Sequence, residues 1–226
     1  MKSSIRSSRV GILSVGMGNI AAIEGALRRL CIESIQVTGS SELFSVSHLI
    51  IPGVGAMGEF MNRVKANGLI HDIRSFAGYG KILGICLGFQ SLYSYSQEGN
   101  CDCLALLDGE VKSIRDCCHI STNVGYLKVL ENRSSPQLSM NIIRSISSAS
   151  GTTPASSHRH SQRLEYYFTH SYFVPVQPTS THIAHISPNL DITAVSSNGK
   201  NICGTQFHPE LSHSIGRSLI SSFLSQ

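Results

Sequence analysis

The chain has 226 residues, 41% of them hydrophobic and 14% charged, which excludes a disordered chain and is long enough to bury a core without disulfide staples. Its net charge of +4 comes from scattered lysines and arginines; this excludes a basic nucleic-acid arm and leaves room for a basic face toward an anionic substrate. No apolar stretch approaches the roughly 20 residues of a membrane-spanning helix, and seven cysteines without a C-x-x-C pair or zinc-ligand spacing point to free thiols in a reducing cytosol.

The opening MKSSIRSSRVGILSVGMG imitates a signal peptide. Its apolar run is too short and breaks at Gly16 and Gly18, so residues 10–15 are expected as a first strand behind a polar tail. NIAAIEGALRRL reads as an amphipathic helix with Asn19 as its N-cap. SIQVT and SHLIIPG read as the second and third strands. MGEFMNRVKANGLIHDIRSFAGYG holds one or two helices, KILGIC a fourth strand, and LGFQSLYSYSQ a helix behind it. Apolar strands alternating with helices predict an α/β domain with a mostly parallel central sheet, covered on both faces. Ligands of such sheets collect at the carboxyl ends of the strands. Three Gly-rich turns fall at such ends: 16–18, 52–55 and 84–88.

The second half reads as short β-segments: LLDGEVKSI, GYLKVL, EYYFTHSYFVP, HIAHIS, DITAVSS and ICGTQF, followed by a closing helix IGRSLISSFLSQ. Residues 131–163 are Ser-rich with little apolar pattern and are expected to form an exposed insertion in the single domain. His158 and His160 lie in it, and two histidines in a polar loop are read as solvated rather than as a metal site. The vicinal pair Cys117–Cys118 has the chemistry of a redox-sensitive site and no partner that assigns it one.

The first Gly-rich turn, GMGNIA, matches G-x-G-x-x-A after a strand. A dinucleotide would need a carboxylate at the end of the second strand, and Val37-Thr38-Gly39 offers none, so the glycines are read as a tight strand-to-helix turn. No cofactor is expected. The turn Gly84-Ile85-Cys86-Leu87-Gly88 is different. Strand, G-x-C-x-G, then helix is a nucleophile elbow with cysteine in the serine position. Such a turn pushes Cys86 out at the top of the sheet, and the helix N-terminus behind it favours a thiolate. The Leu87 N–H is placed to hold an oxyanion, and Gln90, four residues on, returns to the same helix face. The competing reading is a buried structural thiol, since cysteine packs as a small hydrophobe.

A nucleophile needs a base and a group that orients it. GTQFHPELS supplies both kinds. Pro209 holds His208 extended, and Glu210, two positions on, is expected to lean to the same side and fix the imidazole tautomer. Alternatively, His208 caps a strand and Glu210 faces water.

GICLGFQ followed by FHPE resembles the class I glutamine amidotransferases. The ordered set GMGNI, IPGVGAM, GICLGFQSL, SQEG, YYFTHSYFVP and GTQFHPELS resembles the glutaminase subunits of imidazole glycerol phosphate synthase within that family, from about residue 10 to the end. The resemblance implies a single-domain class I glutamine amidotransferase-like fold and a triad of Cys86, His208 and Glu210. Gly53 and Val54 would offer an oxyanion donor beside that of Leu87. Gln90 and Glu98 would line a glutamine pocket, with Glu98 facing the substrate's amino group. His170, Ser171 and Tyr172 would hold its carboxylate end. The implied partner is a separate barrel-shaped cyclase subunit that receives ammonia in a heterodimer, with weak activity expected of the chain alone. YYFTHSYF is also read as a core strand, with most of its aromatics packing.

The sequence departs from the family at residues 122–127. The family's Pro-His-x-Gly-Trp-Asn segment is here Thr122-Asn123-Val124-Gly125-Tyr126-Leu127, and the chain has no tryptophan. An Asp-Tyr expected before the first turn is Ser14-Val15, and the 131–163 segment is long. These changes leave open which synthase receives the ammonia, another acceptor such as a surface sugar being the alternative. A glutaminase of pyridoxal phosphate synthesis fits PGVGAM and YFTHSYFVP less well. A cysteine hydrolase of related fold has no need of Gln90 and Glu98, and a catalytically silent binding subunit would have to carry an intact triad.

Overall fold

The computed structural model describes residues 9–132 and 165–225. Most of the expected 131–163 insertion, including His158 and His160, lies outside the described residues.

The first strand, β1 (Val10–Leu13), lies between β2 (Ser34–Val37) and β3 (His48–Ile51); β4 (Lys81–Ile85) follows β3, all in parallel. The alternation of side chains along each strand sorts the core into two layers. Val10, Ile12, Ile50, Leu83 and Ile85 face one layer; Leu13, Leu49, Ile51 and Ile82 face the other. Helix α1 (Ile20–Arg29) covers the first face with Ile23, Ala26 and Leu27. Asn19 caps it, its Oδ1 accepting from Ala22 N–H at 3.3 Å. Helices α3 (Met57–Ala66) and α4 (Leu69–Phe76) cover the second face. They are two helices because Gly68, at φ 71, breaks the run between them. Each fully buried Leu, Ile or Phe contributes about 1.5–3 kcal/mol, so the two layers dominate stability. A short helix α2 (Ser40–Leu43) lies between β2 and β3.

The segment after β4 is not one long helix. Helix α5 (Leu87–Gln90) is a single turn. Ser91 Oγ donates back to Gly88 O, and Tyr95–Ser96 forms a two-residue strand, β5. The run SLYSYS is poor in helix formers, and β5 finds partners in β6 (Cys101–Asp102) and β7 (Glu110–Ser113). With β10 (Tyr172–Phe173) these make a small second sheet in the order β10-β7-β5-β6.

The second half completes the main sheet. Strands β8 (Asn123–Glu131), β9 (Glu165–His170), β11 (Ser180–Ser187), β12 (Leu190–Ser197) and β13 (Ile202–Thr205) give the order β2-β1-β3-β4-β13-β12-β11-β8-β9. The sheet is mixed: parallel from β2 through β13, antiparallel from β13 through β9. The closing helix α6 (His213–Leu224) packs Leu219, Ile220 and Phe223 onto the α1 face. Among the described residues no helix is long and apolar enough to cross a membrane.

Candidate active site

Strand register builds the site. β4 and β13 are parallel neighbours, with Ile85 beside Thr205. The ladder runs one step beyond β4, where Cys86 N–H donates to Thr205 O at 2.8 Å. The residues after the two strands, Cys86 and Gln206, are thereby side by side. His208 lies two positions beyond Gln206, and β9 crosses both ends. His208 N–H donates to Tyr167 O at 2.8 Å, and Cys86 Sγ approaches Thr169 O at 3.6 Å.

Cys86 sits at φ 51, ψ −108, a left-handed backbone that costs a non-glycine residue about 1–3 kcal/mol. That is the strain of a nucleophile elbow. The neighbouring glycines let the backbone close up: a Cβ at Gly84 would stand 2.7 Å from Gly88 O and from Phe89 Cα. The thiol is 7% exposed, at the floor of a cavity rather than sealed in the core.

His208 Nδ1 and Glu210 Oε1 are 2.8 Å apart, with each side chain 2% exposed. Their approach differs from the extended geometry expected from sequence. His208 is extended, but Pro209–Leu211 form a 3-10 turn, because proline is pre-set for a first helical position. The turn brings the carboxylate back beneath the ring. Burial alone would keep the His208 imidazole neutral. The contacts with the Cys86 thiol and the Glu210 carboxylate outweigh it and push the pKa up to about 10. The Nε2 atom has no closed hydrogen bond among the described residues, so the ring is held from its Nδ1 side and free to exchange a proton on the sulfur side.

A cavity of ≈ 280 Å³ opens above Cys86. One wall is the Gly53-Val54-Gly55 turn. It packs directly on α5, for a Cβ at Gly53 would lie 2.2 Å from Gly88 N and 2.4 Å from Leu87 Cβ. Leu87 and Gln90 line the floor beside Cys86. Gln90 gives its amide nitrogen to Tyr172 O at 2.7 Å and to Gln206 Oε1 at 3.1 Å, which leaves its own oxygen for a ligand. Glu98 stands on the far wall. Burial raises its pKa, the Met57 backbone working the other way, so the carboxylate gains from a cation brought to it.

His170, Ser171 and Tyr172 form the remaining wall with Thr122 and Thr169. His170 Nδ1–H donates to Tyr172 O at 2.8 Å, and Nε2 accepts from Asn123 Nδ2 at 3.0 Å. Both ring nitrogens are therefore engaged by the protein. Asn123 is the direct cross-strand neighbour of His170. Ser171 Oγ pairs with Thr122 Oγ1 at 2.8 Å. The aromatics of β9 divide as its alternation requires: Tyr166 and Phe168 are core, and Tyr166 stacks on Phe207 at 4.0 Å. Tyr126 is 47% exposed and lies near Leu211 and His213, its hydroxyl 3.1 Å from His213 Nε2.

Three buried histidines give the fold a pH response. Burial lowers His48, His170 and His182 to about 4. The Lys81 charge adds to this at His48 and the His208 charge at His170, while the Tyr172 carbonyl opposes it at His170. In the unfolded chain each titrates near about 6.5. Between these values the unfolded state binds more protons, so stability falls as pH falls, by at most about 1.4 kcal/mol per pH unit for each histidine. Urea midpoints are expected to drop steeply from about pH 6.5 to about pH 4. His48→Gln and His182→Gln should each flatten that limb by about a third. Limbs as steep as the parent's in both variants would refute the assignment.

The match to the family described as "Glutamine amidotransferase class-I" spans residues 12–226. The chain belongs to the class I glutamine amidotransferases. Among curated relatives, "Imidazole glycerol phosphate synthase subunit HisH" of Xanthomonas oryzae pv. oryzae (strain MAFF 311018) is 32% identical over 216 residues, 95% of this chain and 96% of that protein. The protein of the same name from Xylella fastidiosa (strain 9a5c) is 33% identical over 218 residues, 96% and 97% of the two chains. Solved structures of other proteins share the fold. "Structure of PurLQS from Thermotoga maritima" has a TM-score of 0.66 at 16% identity, covering 96% of this chain and 98% of the other. "Crystal structure of glutamine amidotransferase" has a TM-score of 0.60 at 18% identity, covering 96% and 97%. As a member of this family the chain is a glutamine-hydrolysing enzyme.

Sequence reasoning assigned no role to Gln206 or to Asn123. The signal for Gln206 was its spacing: residues i and i+2 on an extended segment share a face, so the residue two before His208 belongs beside the same sulfur. Asn123 carried no such signal, since its place depends on the β8–β9 register.

Proposed function

We propose that the chain is the glutaminase subunit of imidazole glycerol phosphate synthase, hydrolysing glutamine with Cys86, His208 and Glu210 and passing ammonia to a cyclase subunit. The carrying observation is the alignment of the His208–Glu210 pair with Cys86, which sits at the floor of a cavity whose far wall holds a carboxylate with a raised pKa. The relatives' shared name, over nearly the full length of both chains, supports the choice of synthase.

In this reading the Cys86 thiolate attacks the side-chain amide carbon of glutamine. The oxyanion is met by the Leu87 N–H and by the Gly53–Val54 peptide, next to the Gly55 hinge at φ +113. The His208 imidazolium gives its proton to the leaving nitrogen, and ammonia departs. Water, deprotonated by His208, then cleaves the glutamyl thioester to glutamate and restores the thiol. Glu210 holds the ring in the tautomer that serves both steps. Glu98 receives the substrate ammonium, Gln90 Oε1 the remaining polar edge, and Ser171 and Tyr172 the carboxylate. His170, neutral and bonded on both sides, keeps that wall in register.

The test is glutamate release by the purified chain, with and without the cyclase subunit of the same organism and its phosphorylated substrate, with Cys86→Ala as the blank. Stimulation of about a hundredfold or more by the cyclase, lost in Cys86→Ala, is the expected result. Turnover indifferent to the cyclase would refute the choice of synthase and favour the second reading, another acceptor. The substituted 122–127 segment, with Tyr126 at the surface beside His213, is the observation that keeps that reading in play.

A further inference from the structure

The sulfur of Cys86 has a neighbour that the triad does not use. Gln206 is fully buried and does not line the cavity, so it cannot meet glutamine. Its side chain lies behind the nucleophile, with Nε2 at 3.8 Å from Cys86 Sγ. Which end of an amide faces the sulfur decides whether the contact favours thiol or thiolate, and the surrounding bonds fix that end. The fixed point is the Tyr172 carbonyl, which can only accept. Gln90 must turn its Nε2 to it, at 2.7 Å. The same Nε2 then lies 3.1 Å from Gln206, which must answer with its oxygen. The Gln206 nitrogen is left pointing at Cys86. His170 holds the Tyr172 carbonyl from the other side with its Nδ1–H, and that tautomer turns the Asn123 amide nitrogen toward Nε2. Every donor and acceptor in this chain of five side chains and one carbonyl has its polarity set.

The sulfur also lacks the helix support that the sequence leads one to expect. Helix α5 is one turn long, too short to build up a macrodipole. A donor fixed at the sulfur is the substitute the structure offers.

We propose that Gln206 is a further catalytic residue of the glutaminase, whose amide N–H, oriented by Gln90, holds Cys86 as the thiolate that attacks substrate. The inference rests on the glutaminase reading for its consequence, though the interaction itself concerns only the thiol. A hydrogen bond to a charged acceptor is worth more than one between neutral groups, so removing it penalises the thiolate and spares the neutral thiol.

The test reads the thiol directly. Alkylation of Cys86 by iodoacetamide is followed by mass spectrometry across pH in the full-length chain, with exposed Cys117 as internal reference. Gln206→Met keeps the volume and removes the donor. It should slow Cys86 alkylation about tenfold near about pH 7, with the two rates converging as rising pH ionises the thiol in both proteins. With the cyclase present, kcat should fall about tenfold and KM stay within about twofold. A profile that matches the parent's overturns the inference. So does a variant that is slow at every pH, which reports blocked access. If Gln206→Met does not fold, Gln90→Met decides: it frees the Gln206 amide to turn, and unchanged Cys86 alkylation overturns the inference. A parent protein that alkylates as expected but never releases glutamate would sink the glutaminase reading alone.

Discussion

His208→Ala should lose both turnover and stability, and the two losses have different origins. Turnover falls by at least about a thousandfold, because the thiol loses its base and the leaving nitrogen its acid. Stability falls because of what stays behind. The Glu210 side chain is 2% exposed, its Oε1 is bonded to His208 Nδ1, and its Oε2 has no partner among the described residues. Removing the imidazole strands a buried carboxylate, which costs about 3–5 kcal/mol. For a domain of this size that lowers Tm by roughly 10 °C. The double variant His208→Ala/Glu210→Leu should regain most of the stability and none of the activity, since a buried ion pair replaced by apolar groups is close to neutral. The pH dependence carries a definite sign. The folded His208 holds its proton up to about 10, above its unfolded value near about 6.5. Its contribution is complete below the unfolded value and is lost as pH rises through the folded one. The gap between parent and His208→Ala, measured by urea unfolding near about pH 8, should therefore narrow toward about pH 10. A His208→Ala protein as stable as the parent would mean that the pair is not buried as described.

The parts of this site that could be read in the sequence are those whose chemistry is local. A sharp turn after an apolar strand needs small residues on both sides of Cys86, and the Gly84 and Gly88 spacing says so. Pro209 and Glu210 are neighbours of His208, so their relation to it is nearly fixed by covalent geometry, though the 3-10 turn that joins them was not foreseen. Strands β1, β3 and β4 were legible because they are apolar on both faces and lead into Gly- or Pro-containing turns. What was not legible depends on pairing between distant segments. Nothing local says that β13 inserts beside β4, and the spacing of Gln206 to His208 puts Gln206 against Cys86 only through that adjacency. The strands β5, β6 and β10 have two residues each, too few to show a period, so a helix was expected across part of that region. The family resemblance supplied Glu98 and the 170–172 wall, which no local rule would have joined to Cys86. It also implied that His170, with Ser171 and Tyr172, holds the carboxylate end of the substrate. Both of its ring nitrogens are bonded within the protein, and the proposed mechanism has it hold the wall on which Ser171 and Tyr172 stand.

The second Gly of the elbow has a duty beyond the turn itself, and Gly88→Ala should expose it. A Cβ on Gly88 would lie 2.0 Å from Ile51 O, 2.7 Å from Ile51 C and 2.9 Å from Pro52 O. All three are backbone atoms of the strand end that carries Gly53 and Val54, so no side-chain rotation can relieve the overlap. Either β3 shifts away from β4 at its carboxyl end, or α5 lifts and takes Cys86 with it. Both outcomes separate the nucleophile from the Gly53–Val54 turn. The expected result is a loss of about 3 kcal/mol or more in stability and at least about a hundredfold in glutaminase kcat, the scale of a lost oxyanion donor. Gly68→Ala is the control. Gly68 has a left-handed φ of +71, but a Cβ there meets nothing within 4 Å. It carries only the backbone penalty of about 1–2 kcal/mol, with kcat unchanged, because Gly68 lies between α3 and α4 and lines no part of the cavity. Thermal unfolding and turnover of the two variants, measured together, separate the cost of a strained backbone from the cost of filling the contact between the elbow and the oxyanion turn. If Gly88→Ala did no more harm than Gly68→Ala, that contact would not be what holds the turn against the nucleophile.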